Sequence, residues 1–341
     1  MINKNSRLSS EKSTKAKPFL LKPVGKDYLW GGSRLKDDFG KDMDMAPLAE
    51  TWECSTHPDG TCQVANGEFS GWPLTKVLQE HPEFLGNHSK ASGELPVLIK
   101  LIDAKDDLSV QVHPDDEYAN KYENGQMGKT EMWYVLDAVK DAQLVFGLHH
   151  EMNRDTLRNS ILEGTVEKHL QKVSVKKDDV YYIEAGTIHA VGAGVLLAEI
   201  QESSNLTYRL YDYERTDKSG NKRELHVDKA LDAASLKGST EPLQPMRVLK
   251  YFPGRASELL CRCKYFEVYR MLINTERHRN MVSYETGSDS FHVLLCIGGC
   301  GAVYMENGES ICFFKGDCIF FPADSAKVKL HGKAQFLDVR G

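Results

Sequence analysis

The 341-residue sequence predicts a mainly β protein built from sandwich or jelly-roll barrels, with a small helical insertion. Short apolar or alternating runs recur along the chain, separated by turn signals such as Gly298-Gly299 and Asn307-Gly308. A clear helical pattern is confined to a few short stretches. A nine-residue segment also recurs in the two halves of the chain, which indicates two related units.

Composition divides the chain into four segments. Residues 1–17 are polar and basic and are predicted to be a disordered tail. The first folded unit is predicted to span residues 18–235, with the helical insertion at about 152–172. Residues 236–245 are predicted to be a linker because they are rich in turn-forming residues. Residues 246–341 are predicted to form the second unit.

The elements of the first unit follow from its apolar pattern. Residues 50–58 alternate and predict a strand, and residues 75–85 have a short helical pattern. Residues 95–104 form a nearly continuous apolar run, interrupted at Lys100, which predicts a strand buried on both faces. Further strands are predicted near residues 108–113, 131–138, 142–148, 180–186, 195–203 and 207–214.

The helical insertion has recognisable ends. Leu157, Ile161 and Leu162 are predicted to share one face of a helix. Asn153 can cap its start and Gly164 can end it. Residues 165–173 predict a second short helix.

Composition also excludes several classes of protein. The formal charge of −6 leaves no basic face for nucleic acid. No run of 18 apolar residues predicts a membrane span, and the N-terminus lacks the apolar core of a secretory signal. The eight cysteines form no C-x-x-C pair. We therefore expect reduced thiols and a cytoplasmic protein without nucleic acid or membrane partners.

A candidate cation site is spread over three predicted strands. Gln111 and His113 lie two residues apart in an alternating run and point to one face. Glu131 opens a second strand, and His189 follows a third. Two imidazoles and a carboxylate suit a Lewis-acid metal. The alternative is that the histidines are structural and Glu131 is an ordinary rim charge.

Three basic residues are unusual in their surroundings. In the alternating run at 207–213, Arg209 is predicted to share a face with Thr207, Tyr211 and Tyr213. Inside a barrel Arg209 needs an anion to offset its desolvation, whereas on a half-exposed strand it is an ordinary surface residue. Lys129 would lie beside Glu131, where a cation suits it to proton transfer. A buried Lys100 needs a partner.

The internal repeat predicts that the two units differ at the positions of the candidate metal ligands. Residues 177–185 align with residues 315–323, which places Lys327 opposite His189. An upstream alignment places Phe291 opposite Glu131. The second unit is thus predicted to keep the barrel without metal ligands.

The motifs LPVLIKLIDA, LSVQVHPDD, GKTEMWYVLDA, AGTIHAV and EIQESSNLTYRLYD resemble the successive signatures of type I mannose-6-phosphate isomerases. The resemblance runs from about residue 18 to the C-terminus and is greatest to the short bacterial form. It implies two cupin barrels with a small helical insertion. It also implies interconversion of mannose 6-phosphate and fructose 6-phosphate through a cis-enediolate, with one zinc ion per chain.

The resemblance assigns roles to the candidate residues. It implies that His113, Glu131 and His189 bind the metal with Gln111 nearby, and that Arg209 is catalytic. Either Lys129 or a metal-bound water would move the proton. Lys100, Ser203 and Ser204 are candidate contacts for the phosphate of the substrate.

Two other functions remain open from the sequence. One is a cupin that binds sugar without turning it over, although such a protein needs neither Arg209 nor Lys129. The other is a non-haem iron oxygenase, since two His and a carboxylate also suit Fe(II). Metal analysis and an oxygen-uptake assay separate the oxygenase from an isomerase.

Overall fold

The structure is a computed structural model and describes residues 15–216, 219–239, 242, 244–276 and 280–341. Residues 1–14 of the predicted tail and residues 240, 241 and 243 of the predicted linker lie outside this part of the chain. The mainly β class is confirmed. The strands are β1 (Phe19–Lys22), β2 (Val24–Lys26), β3 (Glu50–Cys54), β4 (Gln63–Val64), β5 (Val97–Ala104), β6 (Val110–Val112), β7 (Glu131–Ala138), β8 (Gln143–Leu148), β9 (Leu170–Ser174), β10 (Val180–Ile183), β11 (His189–Val191), β12 (Val195–Glu202), β13 (Tyr208–Tyr211), β14 (Lys250–Phe252), β15 (Arg255–Arg262), β16 (Glu267–Asn274), β17 (Val282–Tyr284), β18 (His292–Met305), β19 (Ser310–Phe314), β20 (Cys318–Phe321) and β21 (Val328–Arg340). The α-helices are α1 (Arg34–Phe39), α2 (Leu74–Glu80), α3 (Asp116–Tyr122), α4 (Arg154–Leu162) and α5 (Val227–Ala233).

A six-stranded antiparallel sheet, in the order β10-β7-β12-β5-β3-β2, forms the middle layer. Every residue of β5 is buried, as its nearly continuous apolar run predicts. One face of the sheet, with Ile102, Trp133 and Leu197, packs against the five-stranded sheet β13-β6-β11-β8-β9. The opposite face, with Ile99 and Ile200, packs against the second unit. The middle sheet is therefore enclosed on both sides.

The helical insertion covers the outer face of the five-stranded sheet. Leu157 and Ile161 of α4 pack there, and the side chain of Asn153 accepts the Thr156 N–H as the predicted cap. Leu162 does not join them, because it lies on the solvent side of the helix and is 69% exposed. The predicted second helix is wrong in its later part. After a 3₁₀ turn at Val166–His169, the chain forms β9, which pairs with β8.

The second unit is built on a ten-stranded sheet whose main path is β14-β15-β16-β21-β18-β20-β1-β4. Strand β17 pairs with β21, and β19 pairs with β18. Leu294, Phe313 and Phe336 lie in its core. Strand β1 belongs to this sheet by hydrogen bonding, since Leu20 pairs with Ile319. The chain thus contributes to the second unit before it builds the first, and the boundary at residue 18 stays a prediction.

The strand register corrects the internal repeat. Ile183 pairs with Glu131 in the first unit, and Phe321, its counterpart, pairs with His292 in the second. The residue opposite Glu131 is therefore His292, so the predicted match to Phe291 is wrong by one residue. A shift of one residue moves a side chain to the other face of a strand. Phe291 accordingly lies in the core between the units.

Two observations concern the predicted absence of a membrane span and the predicted state of the cysteines. The longest helix in the described part is α4, with nine residues, and no described helix is long and apolar enough to cross a membrane. All eight cysteines are free thiols, and four of them are buried. Free buried thiols are what the sequence predicts from cysteine spacing.

A buried ion pair joins the two units. The ammonium of Lys41 lies 2.7 Å from a carboxylate oxygen of Glu53 and also donates to the Gly316 carbonyl of the second unit. The hydroxyl of Thr51 donates to the other oxygen of Glu53. Both charged side chains are enclosed, at 7% and 0% exposure. Each charge therefore depends on the other, because water cannot replace its partner.

We expect Lys41→Met to lower the free energy of unfolding by about 3–5 kcal/mol, because it leaves the Glu53 carboxylate buried without a cation. Lys327→Ala is the matched control, since Lys327 is exposed and lies 3.6 Å from Glu285. Its effect should stay within about 0.5 kcal/mol. Urea denaturation of both variants provides the measurement. Equal losses in the two variants would contradict a structural role for the Lys41–Glu53 pair.

Candidate active site

Three buried ligand groups meet at one end of the first unit. His113 directly follows β6, Glu131 opens β7 and His189 opens β11. Their exposures are 1%, 0% and 0%. The Nε2 atoms of His113 and His189 each lie 3.4 Å from a different oxygen of Glu131. Among the described residues, these three form the only group of His, Cys, Asp or Glu close enough to share a metal ion.

The hydrogen bonding of the triad is incomplete in the way that a metal site requires. Both ring nitrogens of His113 and both oxygens of Glu131 are buried without a hydrogen-bond partner. Such groups are costly unless something else binds them. Ligand atoms that are each about 2.1 Å from a tetrahedral ion are roughly 3.4 Å apart. Each histidine lies at this distance from an oxygen of Glu131, and one ligand atom from each residue lies within 4.8 Å of the others.

The ring of His189 is oriented for coordination. Its Nδ1 lies 2.8 Å from the Thr187 carbonyl, to which it can donate. A proton on Nδ1 leaves the lone pair of Nε2 directed at the site. The sequence AGTIHAV thus supplies the ligand and, two residues earlier, the group that fixes its tautomer.

The protonation states also favour a cation. Burial, followed by the nearby Lys129 charge, lowers the pKa of His113 to about 3, and burial likewise lowers the pKa of His189. Both imidazoles are therefore neutral near pH 7. Burial alone would raise the pKa of Glu131, but the charge of Lys129 and the interactions with His113 and His189 together outweigh it and hold this pKa well below its usual value. The triad thus offers two neutral donors and one carboxylate.

Gln111 lies beside the triad, as the sequence predicts. It pairs with His189 across β6 and β11, and its Nε2 atom lies 3.3 Å from the Nε2 atom of His189. A cation would need the amide oxygen at this place. Gln111 can therefore serve as a ligand only with its amide turned over, an orientation that side-chain geometry leaves open.

Buried charges next to the triad form a connected network. The ammonium of Lys129 lies 3.1 Å from Glu131 and 4.0 Å from Glu199. Lys100 lies 2.9 Å from Glu199, and the indole of Trp133 donates to the other oxygen of Glu199. Lys100 therefore has the partner that its buried position requires. Burial opposes the charge of Lys100, but the neighbouring carboxylates, Glu199 first, outweigh it and raise the pKa of Lys100.

Arg209 is half-buried and held by the protein. Its Nε donates to Ser109 Oγ at 3.3 Å, and its Nη1 donates to the Glu224 carbonyl at 2.7 Å. The predicted shared face with Tyr211 is wrong. A register shift between Arg209 and Tyr211 interrupts the pairing of β13 with β6, and such a bulge redirects the following side chains. Tyr211 packs beneath the helices instead, together with Tyr213.

A cleft of about 260 Å³ opens above this network. Its polar and charged lining residues are Glu50, Lys100, Ser109, Gln111, Lys129, Glu199, Asn205, Thr207, Arg209 and Arg223. The triad lies behind this lining. A small molecule in the cleft would therefore contact Lys129 and Arg209 directly.

Two of the predicted phosphate contacts are not supported. Ser203 lines a different, smaller cavity beside Thr56 and Leu95. The hydroxyl of Ser204 is buried and donates to the Met127 carbonyl. Lys100 does line the cleft, but Glu199 already binds its ammonium. The sequence pattern does not show which of the candidate residues face the cleft, because a local pattern does not determine the direction of side chains in loops.

The sequence reasoning also missed residues that the structure brings to the cleft. Glu199, Glu50 and Arg223 were not singled out. Glu199 had a signal, since it is the one charged residue in the apolar run VLLAEI, and Lys100 likewise interrupts the apolar run of its own strand. Two opposite charges in two buried strands predict a pair. Arg223 lies in a polar loop and had no such signal.

Comparison with known proteins identifies the family of this chain. The sequence model of phosphomannose isomerase type I, catalytic domain, matches residues 19–148. The mannose-6-phosphate isomerase ManA of Bacillus subtilis is 35% identical over 322 residues, which cover 93% of this chain and 97% of that protein. The chain belongs to the type I phosphomannose isomerase family. The mannose-6-phosphate isomerase of Streptococcus mutans is 39% identical over 259 residues, covering 76% of this chain and 80% of that protein.

The fold of this phosphomannose isomerase family member also matches a solved structure. The crystal structure of the mannose 6-phosphate isomerase from Bacillus subtilis superimposes with a TM-score of 0.86 at 34% identity. The match covers 96% of this chain and 100% of that chain. The resemblance noted in the sequence motifs is thus confirmed at the level of family and fold.

We expect His113→Ala to lose most of the divalent metal that the purified protein carries, because two donors remain where three are buried together. His150→Ala is the matched control, since His150 is exposed on the surface. Elemental analysis of both proteins, with folding checked by circular dichroism, gives the metal content. Full metal content in folded His113→Ala protein would show that the triad is not the binding site.

Proposed function

We propose that this chain interconverts mannose 6-phosphate and fructose 6-phosphate. Its relatives are named mannose-6-phosphate isomerases. One observation carries the proposal: a buried donor set of two His and one Glu lies directly behind a cleft lined by Lys129 and Arg209. An aldose–ketose isomerase needs a group to bind the sugar oxygens, a proton carrier and a positive charge for the enediolate. The cleft offers candidates for all three.

The donor set fits zinc. His113, Glu131 and His189 would hold the ion, and the unpartnered atoms of His113 and Glu131 would gain their missing interactions. Gln111 lies close enough to join them. When bound, zinc supplies a Lewis acid that polarises the carbonyl of the open-chain sugar.

Arg209 stabilises the negative charge that develops on the sugar oxygens. Its guanidinium is fixed by Ser109 and the Glu224 carbonyl, so it needs no reorganisation during the reaction. Its Nη2 has no hydrogen-bond partner among the described residues and is available to the substrate. A fixed, partly desolvated charge of this kind stabilises a transition state more than a mobile one does.

Lys129 is the candidate proton carrier. Its ammonium lies in the cleft between Glu131 and Glu199, at 3.1 Å and 4.0 Å. Proton transfer between C2 and C1 requires a group that reaches both carbons from one side of the enediolate. Because an ammonium cannot accept a proton, Lys129 must first release one to solvent, after which its neutral amine takes the C2 proton and returns it to C1.

We further propose that the protein works in the cytoplasm on a small hexose phosphate. The eight free thiols support a reducing compartment. The narrow cleft, lined by polar and charged side chains, supports a small polar substrate.

A coupled assay tests the proposed reaction. Purified protein should form fructose 6-phosphate from mannose 6-phosphate, lose turnover on removal of metal by a chelator, and regain it when zinc is restored. The metal content of each sample is measured alongside its rate. Absence of turnover in zinc-loaded protein, or full turnover in protein shown to be free of metal, would contradict the proposal.

Arg209→Ala should lower kcat by roughly 10²–10³-fold with a comparatively small change in KM, as expected for a group that acts mainly on the transition state. Arg209→Lys should recover only part of the rate, because an ammonium cannot reproduce the planar fork of the guanidinium. Steady-state kinetics on metal-loaded protein gives the measurement. A rise in KM with unchanged kcat would instead make Arg209 a ground-state binding residue.

A further inference from the structure

A buried carboxylate at the mouth of the cleft is held between two arginines. Asp212 follows β13 and is 5% exposed. Its Oδ1 accepts from Nη2 of both Arg215 and Arg223, at 2.5 Å each, and its Oδ2 accepts from Nε of Arg223 at 2.7 Å. Burial alone would raise the pKa of Asp212, but the two guanidinium groups outweigh it and lower this pKa. The three side chains thus form one ionised cluster.

The two arginines differ in how many of their guanidinium nitrogens already donate hydrogen bonds within the protein. Arg215 donates through Nε and Nη1 to the carbonyls of Asp212 and Asp107, and through Nη2 to the Asp212 side chain. It does not appear among the lining residues of the cleft. Arg223 does line the cleft, and its Nη1 has no hydrogen-bond partner among the described residues. Arg215 therefore anchors the cluster, whereas Arg223 presents a free edge to the substrate.

The group of arginines around Asp212, of which Arg209 and Arg223 line the cleft, carries excess positive charge. Arg209, Arg215 and Arg223 bring three guanidinium groups against the single buried carboxylate of Asp212. The side chain of Glu224 is exposed and so is screened by water. Burial lowers the pKa of Arg209, and the neighbouring Arg223 lowers it further. A partly desolvated, repulsive cluster of this kind is stabilised when an anion binds to it.

Arg209 and Arg223 reach the cleft from different elements, a strand and the loop that follows it. Arg209 pairs with Gln111 across β13 and β6, and Gln111 contacts His189, so Arg209 lies next to the metal triad. Arg223 lies beyond β13, on a loop that a bridge between Thr216 and Lys222 folds back onto Asp212. In mannose 6-phosphate the phosphate is on C6, at the other end of the chain from the reacting C1 and C2.

We propose that Arg223, held in place by Asp212, binds the 6-phosphate and so makes the cleft specific for hexose 6-phosphates. This inference rests on the proposed function for the identity of the sugar. Arg223 offers a planar fork already oriented by Asp212, which lowers the entropic cost of binding a phosphate. Lys100 cannot do this, because Glu199 already binds its ammonium in the buried network.

The test is Arg223→Gln, which keeps a polar side chain of similar length but removes the charge. We expect the KM for mannose 6-phosphate to rise roughly 10- to 100-fold with kcat nearly unchanged. A rise of this size corresponds to the loss of one charge-assisted hydrogen bond. The dissociation constant of inorganic phosphate, measured by calorimetry, should rise by a similar factor. Arg223→Lys should bind more tightly than Arg223→Gln but less tightly than the native protein. Arg158→Gln is the matched control, since Arg158 pairs with Asp228 on the helical insertion, outside the cleft.

The calorimetric arm separates this inference from the proposed reaction. If the native protein does not turn over mannose 6-phosphate, the proposed function fails, yet phosphate binding still tests Arg223. Unchanged phosphate affinity in folded Arg223→Gln protein would overturn the inference. A fall in kcat with unchanged KM would also overturn it, because that pattern belongs to a residue acting at C1 and C2. Thermal unfolding of each variant identifies any loss that comes from misfolding.

Discussion

The enclosure of the middle sheet is the constraint on which the rest of the structure depends. Its strands β5, β7 and β12 are covered on one side by the five-stranded sheet and on the other by the second unit. A charge on such a strand is costly unless it is paired. Lys100, Glu131 and Glu199 lie on these strands and are paired with one another through Lys129. The buried network is therefore held by opposite charges on neighbouring strands, and Lys100, Lys129 and Glu199 of it line the cleft.

The second unit supports the site without lining it. All residues that line the cleft lie between Tyr28 and Arg223. The second unit instead packs Val293 and Leu337 against the far face of the middle sheet, and the Lys41–Glu53 pair fastens the two together. This packing backs the sheet that carries Glu131 and Glu199.

Short-range pattern named the residues at the centre of the site but left a structural role for the histidines open. The resemblance of the motifs added the metal roles of Gln111, His113, Glu131 and His189, and the structure brings these four residues together. The pattern was not enough for the cleft wall. Ser203 and Ser204 turn away, whereas Arg223 returns to Asp212 from a loop. Side-chain direction in a loop depends on contacts made far along the chain, which no local period encodes.

The sequence by itself determined the mainly β class, most of the strands of the first unit and the cap of α4, because these depend on side-chain period and on local hydrogen bonding. Only the tertiary structure decided which strands pair. It placed β1 in the sheet of the second unit, set His292 rather than Phe291 opposite Glu131, and turned Tyr211 away from Arg209 through a bulge. Each of these is a matter of register, which long-range pairing fixes and local composition leaves free.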